Sequence, residues 1–260
     1  MGETTISTAS QRRSFSVMIG FVLSAWGILA IWSLSRYAVL LDHHTIGEGD
    51  LPLAARLAIF IIGWALMILA MMLPRSFLMV SWAFPKKPQP ARRDPLPCPY
   101  LLGYLVVWIA FGGFIFLGDA VLHEWVEHSP VLNNLSAGII WILLMIVGGY
   151  QFTSAKRACL LKDHSPIFIL DEAHSYPPEK LFRVRMGLRH GFYCLGSCWG
   201  LMLLMFAVGS MNFLIMLGLT GIMSAERIIP ARLQFSRLVG VCLILLAFIN
   251  ITKTLYISGA

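Results

Sequence analysis

Charge is scarce in this chain: 13% of its 260 residues are Asp, Glu, Lys or Arg, about half of what a soluble globular protein carries. With 58% apolar residues and a mean hydropathy of +0.75, there is too little polar surface to cover a water-soluble globule. Five cysteines are too few and too scattered for a secreted disulfide scaffold. Gly-x-Ser-x-Gly, His-Glu-x-x-His and Gly-rich phosphate-binding loops are missing, which removes the common hydrolase, zinc-protease and nucleotide signatures. Internal repeats are missing too, so inverted-repeat transport architecture has no support.

Long uncharged apolar runs are present, each able to cross a ~30 Å hydrocarbon core. The net charge of +7 then places Lys and Arg in cytoplasmic loops, with no nucleic-acid partner. Backbone groups in lipid must bond within their own segment, so the spans are helices. The expected fold class is all-α, a polytopic helical transmembrane bundle of one membrane domain over residues 1–260.

The first span covers about 15–35. Arg12 and Arg13 precede it and put the N-terminus in the cytoplasm. Polar residues to Ser14 followed by this run read as an uncleaved anchor. An acidic outward loop follows, with Asp42, His43, His44, Glu48 and Asp50. The second span, 57–74 with an extension to 84, contains Pro74, which would kink or end it. A Pro-rich basic loop with Lys86, Lys87, Arg92 and Arg93 lies inside. Spans three and four are 100–118 and 135–155, joined by an outward loop with Asp119, His123, Glu124, Glu127 and His128. Residues 158–190 form a cytoplasmic connection with a short helix near 179–188. The uncharged run 192–225 would be ~50 Å long as a single helix. A hairpin at Gly209-Ser210-Met211-Asn212 keeps Arg227, Arg232 and Arg237 inside. That choice gives seven spans, the last at 238–256; six spans with one long helix is the alternative.

Soft donors gather around the cytoplasmic connection. Cys159 follows span four, Cys194 and Cys198 open span five, and His164 and His190 stand at the ends between them. If the connection folds back, three thiols and one or two imidazoles converge, a set suited to Cu(I) or zinc. Span two adds Met67, Met71 and Met72, and span five Met202 and Met205. These thioethers could relay Cu(I) through lipid without burying charge, though methionine also simply fills gaps between helices. Cys242 reads as a packing residue. Gln151, Thr153 and Lys156 after Gly148-Gly149-Tyr150 read as interhelical contacts, and Glu226 beside Arg227 as an ion-pair anchor. His174 near Asp171 and Glu172 is a loose acid-base cluster that defines no reaction.

Several segments together resemble a known family. They are Trp64-x-x-Met67-x-x-Ala70-Met71-Met72-x-Pro74, Gly103-Tyr104-x-x-x-Trp108, and Gly149-Tyr150-Gln151-x-Thr153 with Lys156-x-x-Cys159-Leu160. Gly191 to Met202, Gly209-x-Met211-Asn212 and Glu226 complete the set. The pattern, spanning about 64–226, is similar to a bacterial family of predicted metal-binding integral membrane proteins, some labelled copper chaperones. The resemblance implies a multi-pass protein of the bacterial inner membrane. Two positions depart from that family. Ser197 stands where Cys-Leu-Gly-Cys-Cys has its middle thiol, and Asp163 where Cys-Leu-x-x-Cys has its second. His164 beside Asp163 is a possible substitute, and the donor set shifts toward nitrogen and oxygen.

The leading expectation is a membrane protein that binds or hands over a soft metal, copper before zinc, through Cys159, Cys194, Cys198, His164, His190, Met67, Met71 and Met72. A metallochaperone or a membrane complex would then be its partner. Two alternatives remain open. One is a non-catalytic accessory subunit of a larger membrane complex; the other is an enzyme or transporter using Gln151, Lys156 and Glu226 on a lipid-soluble substrate.

Overall fold

The computed structural model describes residues 19–20, 22–34, 52–83, 98–128, 130–164, 180–209, 212–229 and 232–258. Among them the fold is helical throughout: α1 (Val22–Leu34), α2 (Leu53–Ala83), α3 (Cys98–His128), α4 (Pro130–Tyr150), α5 (Ser154–His164), α6 (Lys180–Gly209), α7 (Phe213–Ile228) and α8 (Arg232–Ser258). Four of these, α2, α3, α6 and α8, are long and apolar enough to cross a membrane. α1, α4 and α7 carry shorter apolar stretches. The acidic loop with His43 and His44, the basic loop 86–93, Met211 and the Asp171, Glu172, His174 cluster lie outside the described residues.

α6 is the hub, packing on α3, α4, α5 and α7. Its apolar window is 61% buried, against 17% for α8, so α8 presents most of its surface outward. Glycine lets α3 lie directly on α6. A methyl group at Gly187 would overlap the Tyr100 carbonyl, and one at Gly103 the Val184 carbonyl. Small residues at such crossings bring helix backbones together and make up for the weak hydrophobic drive between helices in lipid. Gly148 and Gly240 do the same for α4 and α8.

α2 runs on through Pro74 rather than ending there. Proline has no N–H, so the carbonyl four residues earlier loses its helical donor. That carbonyl belongs to Ala70, and the indole N–H of Trp26 on α1 donates to it at 3.1 Å. α1 thus supplies the bond that Pro74 removes.

The uncharged run 192–225 breaks at the expected place. α6 ends at Gly209, and Asn212 caps α7 by accepting from the Ile215 N–H at 3.3 Å. The start of α6 differs from the expected one. The short helix near 179–188 is continuous with span five from Lys180. Cys194 and Cys198 therefore lie ~20 Å along the helix rather than at its mouth. Arg185 and Arg189 are exposed while Met186 and His190 are buried, a one-sided pattern that suits a helix.

Candidate functional site

At 100° per residue, Cys194, Cys198, Met202 and Met205 fall on one stripe of α6, spanning ~16 Å of its length. All four are buried, and they share one core cluster with Met67, Met71 and Met72 of α2 and Met216 and Met223 of α7. Trp64 and Trp108 pack into the same cluster, and the Trp64 N–H donates to the Trp108 carbonyl at 2.9 Å. Nine sulfur side chains from three helices thus belong to one buried apolar cluster. Thioethers and thiols tolerate such surroundings because they are neutral and polarizable.

The thiols have polar neighbours at one end of the stripe. Cys194 Sγ lies 3.0 Å from the Tyr104 hydroxyl, and the Cys198 thiol donates to the Cys194 carbonyl at 2.9 Å. One turn before Cys194, His190 Nε2 pairs with Asp163 Oδ1 at 3.1 Å. Its Nδ1 bonds the Tyr100 hydroxyl. Ser197 Oγ reaches the other Asp163 oxygen at 3.4 Å and the Cys194 carbonyl at 2.8 Å. Asp163, His190, Ser197 and Tyr100 are all buried, drawn from α5, α6 and α3.

Asp163 and Ser197, the two departures from the thiol pattern of the family that the sequence resembles, are therefore in contact with each other. Tyr100 and Tyr104, four apart on α3, were not among the expected site residues. Their one signal is the register set by Gly103 between them, which presses α3 onto α6.

Cys159 does not join Cys194 and Cys198. It packs on Gly196, whose added Cβ would sit 2.5 Å from its sulfur. Gly196 lies midway between Cys194 and Cys198 in sequence and so on the opposite flank of α6. The expected convergence of three thiols is corrected by this geometry. Among the described residues no group of three or more His, Cys, Asp or Glu side chains is placed to hold a metal ion. The His164, His123 and His128 side chains lie outside the described parts. Burial pushes the Cys159 thiol pKa above its ordinary value, and the Asp163 carboxylate adds to this against Lys162 and Lys156.

A second polar contact fixes α5 from behind. The Thr153 hydroxyl accepts from the Lys156 N–H at 3.2 Å and starts the helix. The buried Lys156 ammonium then reaches Glu226 of α7 at 2.9 Å and donates to the Ser197 carbonyl. Glu226, expected to anchor with Arg227, thus links α5 to α7. Gln151 joins a different contact, accepting from the Ser236 hydroxyl of α8 at 2.9 Å. The cavity beside Gln151 and Lys156 has room for about a single water, which does not suit a lipid-soluble substrate.

A family model described as copper chaperone, PpoB2, matches residues 61–250 of the chain. No curated protein and no solved structure matches it.

Proposed function

Since the chain belongs to the PpoB2 family of copper chaperones, we propose that it holds Cu(I) on the sulfur stripe of α6 and hands it on within the membrane. Cys194 and Cys198 take the ion, and Met202 and Met205 with Met67, Met71 and Met72 of α2 carry it along the bundle. The observation that carries this proposal is the burial of both thiols and these five thioethers in one cluster. Soft sulfur donors prefer Cu(I), and a thioether has no proton to lose on binding it, so the ion can pass between methionines without changing the charge of any side chain. Cys159 has a separate place against Gly196 and is left outside the carrier set.

The seven apolar helices α1, α2, α3, α4, α6, α7 and α8 are the seven spans of an inner-membrane protein with a cytoplasmic N-terminus. α5 is the connecting helix that lies against the inner end of α6. The recipient is a second metal-binding protein or a membrane complex awaiting copper.

Copper content decides the matter. Full-length protein, purified in mild detergent under reducing conditions and titrated with Cu(I) against a chromogenic chelator, is expected to retain copper. The Cys194→Ala/Cys198→Ala variant is expected to lose most of it. Equal and near-zero copper in both would end the proposal.

A further inference from the structure

Four buried polar side chains, Tyr100, Asp163, His190 and Ser197, converge around the first thiol of the sulfur stripe. His190 presents Nε2 to Asp163 Oδ1 at 3.1 Å, and Ser197 Oγ stands 3.4 Å from Oδ2. Polar groups are expensive at membrane depth and usually mark a functional path. Lys156, the buried ammonium nearby, is engaged by Glu226. We propose that Asp163 and His190, with Ser197, form a second metal site for a borderline divalent cation of the Cu(II) or Zn(II) class.

The separation suits this. Two bonds of ~2.1 Å from one ion to the imidazole and the carboxylate subtend about 95° when their donor atoms lie 3.1 Å apart. Imidazole and carboxylate favour such cations over Cu(I), which thiol and thioether favour. The other imidazole nitrogen is held by the Tyr100 hydroxyl. A histidine that binds a metal almost always has its second nitrogen fixed in this way. A phenol both donates and accepts, so Tyr100 serves the imidazole with or without the ion. Two strong donors and a hydroxyl make an open site that exchanges its ion, as a point of entry or sorting requires. Asp163 lies beside the last residue of α5, so the site is placed at a helix end.

The inference rests on the metal-handling proposal for its kind of cargo but uses none of its sulfur donors. The test is a Co(II) titration of the full chain in detergent, read by visible absorption. One saturable ion is expected, retained in Cys194→Ala/Cys198→Ala and weakened about tenfold or more in Asp163→Asn and His190→Gln. Tyr100→Phe, which keeps the ring, is expected to weaken it ~10–100-fold as the loss of a supporting partner does. No Co(II) binding by the unaltered protein would overturn the inference. So would unchanged affinity in Asp163→Asn, or a thiolate-to-cobalt band that vanishes with Cys194 and Cys198. If Asp163→Asn does not fold, unchanged affinity in Tyr100→Phe overturns it alone. Cu(I) titration of the same samples separates the two proposals. Lost Cu(I) binding with Co(II) retained sinks the sulfur stripe and leaves this site standing.

Discussion

The Lys156 ammonium and the Glu226 carboxylate meet 2.9 Å apart, both almost wholly enclosed, and join α5 to α7. Removing one partner of a buried pair leaves an uncompensated charge, whereas removing both leaves none. Glu226→Ala is expected to destabilise the protein by about 3–5 kcal/mol. The Lys156→Met/Glu226→Leu double variant should lose much less. Unfolding in mixed micelles, followed by circular dichroism, gives both values, and a double variant as unstable as the single one would contradict the account.

The sulfur stripe allows packing to be separated from chemistry. Leucine matches methionine in volume, and such swaps cost less than about 1.5 kcal/mol each. Met67→Leu/Met71→Leu/Met202→Leu/Met205→Leu should therefore fold and keep the copper bound at Cys194 and Cys198. Its transfer of Cu(I) to an external chelator should slow several-fold. Transfer at the unaltered rate would make the thioethers packing groups only.

Helix contact can be tested at paired glycines. A methyl at Gly187 overlaps the Tyr100 backbone carbonyl, while one at Gly113 on α3 meets nothing within 4 Å. Gly187→Ala should destabilise by about 1–3 kcal/mol through overpacking. Gly113→Ala should be neutral or stabilising by up to about 1 kcal/mol, since alanine favours helix. Thermal unfolding of the two variants side by side checks the contrast.

Cys159 gives a pH signature. Its pKa is raised by burial and by Asp163, so less thiolate exists at any given pH than for a free cysteine. With Cys159 as the sole remaining cysteine, its alkylation should reach half its maximal rate above pH ~8.5, the ordinary thiol value. A midpoint at or below that value would refute the environment described for it.

Much of the helical frame could be read before any coordinates. The break around Gly209 to Asn212 followed from run length and charge, because a bilayer has a fixed thickness. The four-residue spacing of Cys194 and Cys198 gave a shared face. The site itself was only half legible, since contacts between helices depend on register, which spacing along one helix does not encode. Tyr100 and Tyr104 meet His190 and Cys194 because Gly103 and Gly187 remove the bulk that would shift α3 along α6. Cys159 went astray for the same reason: sharing a membrane side with two other thiols says nothing about which flank of α6 it covers. Asp163 and Ser197 were noticed as departures from a pattern, and only their 3.4 Å contact joins the two departures in one place.

The indole of Trp26 has a bearing on motion. It substitutes for the amide that Pro74 lacks, so α1 acts as a brace against bending of α2. Were α1 to swing aside, the weakened turn would lie directly at Met71 and Met72, and the lower half of α2 could tilt away from the bundle. Bending of α2 would then need no moving loop, only the departure of one tryptophan.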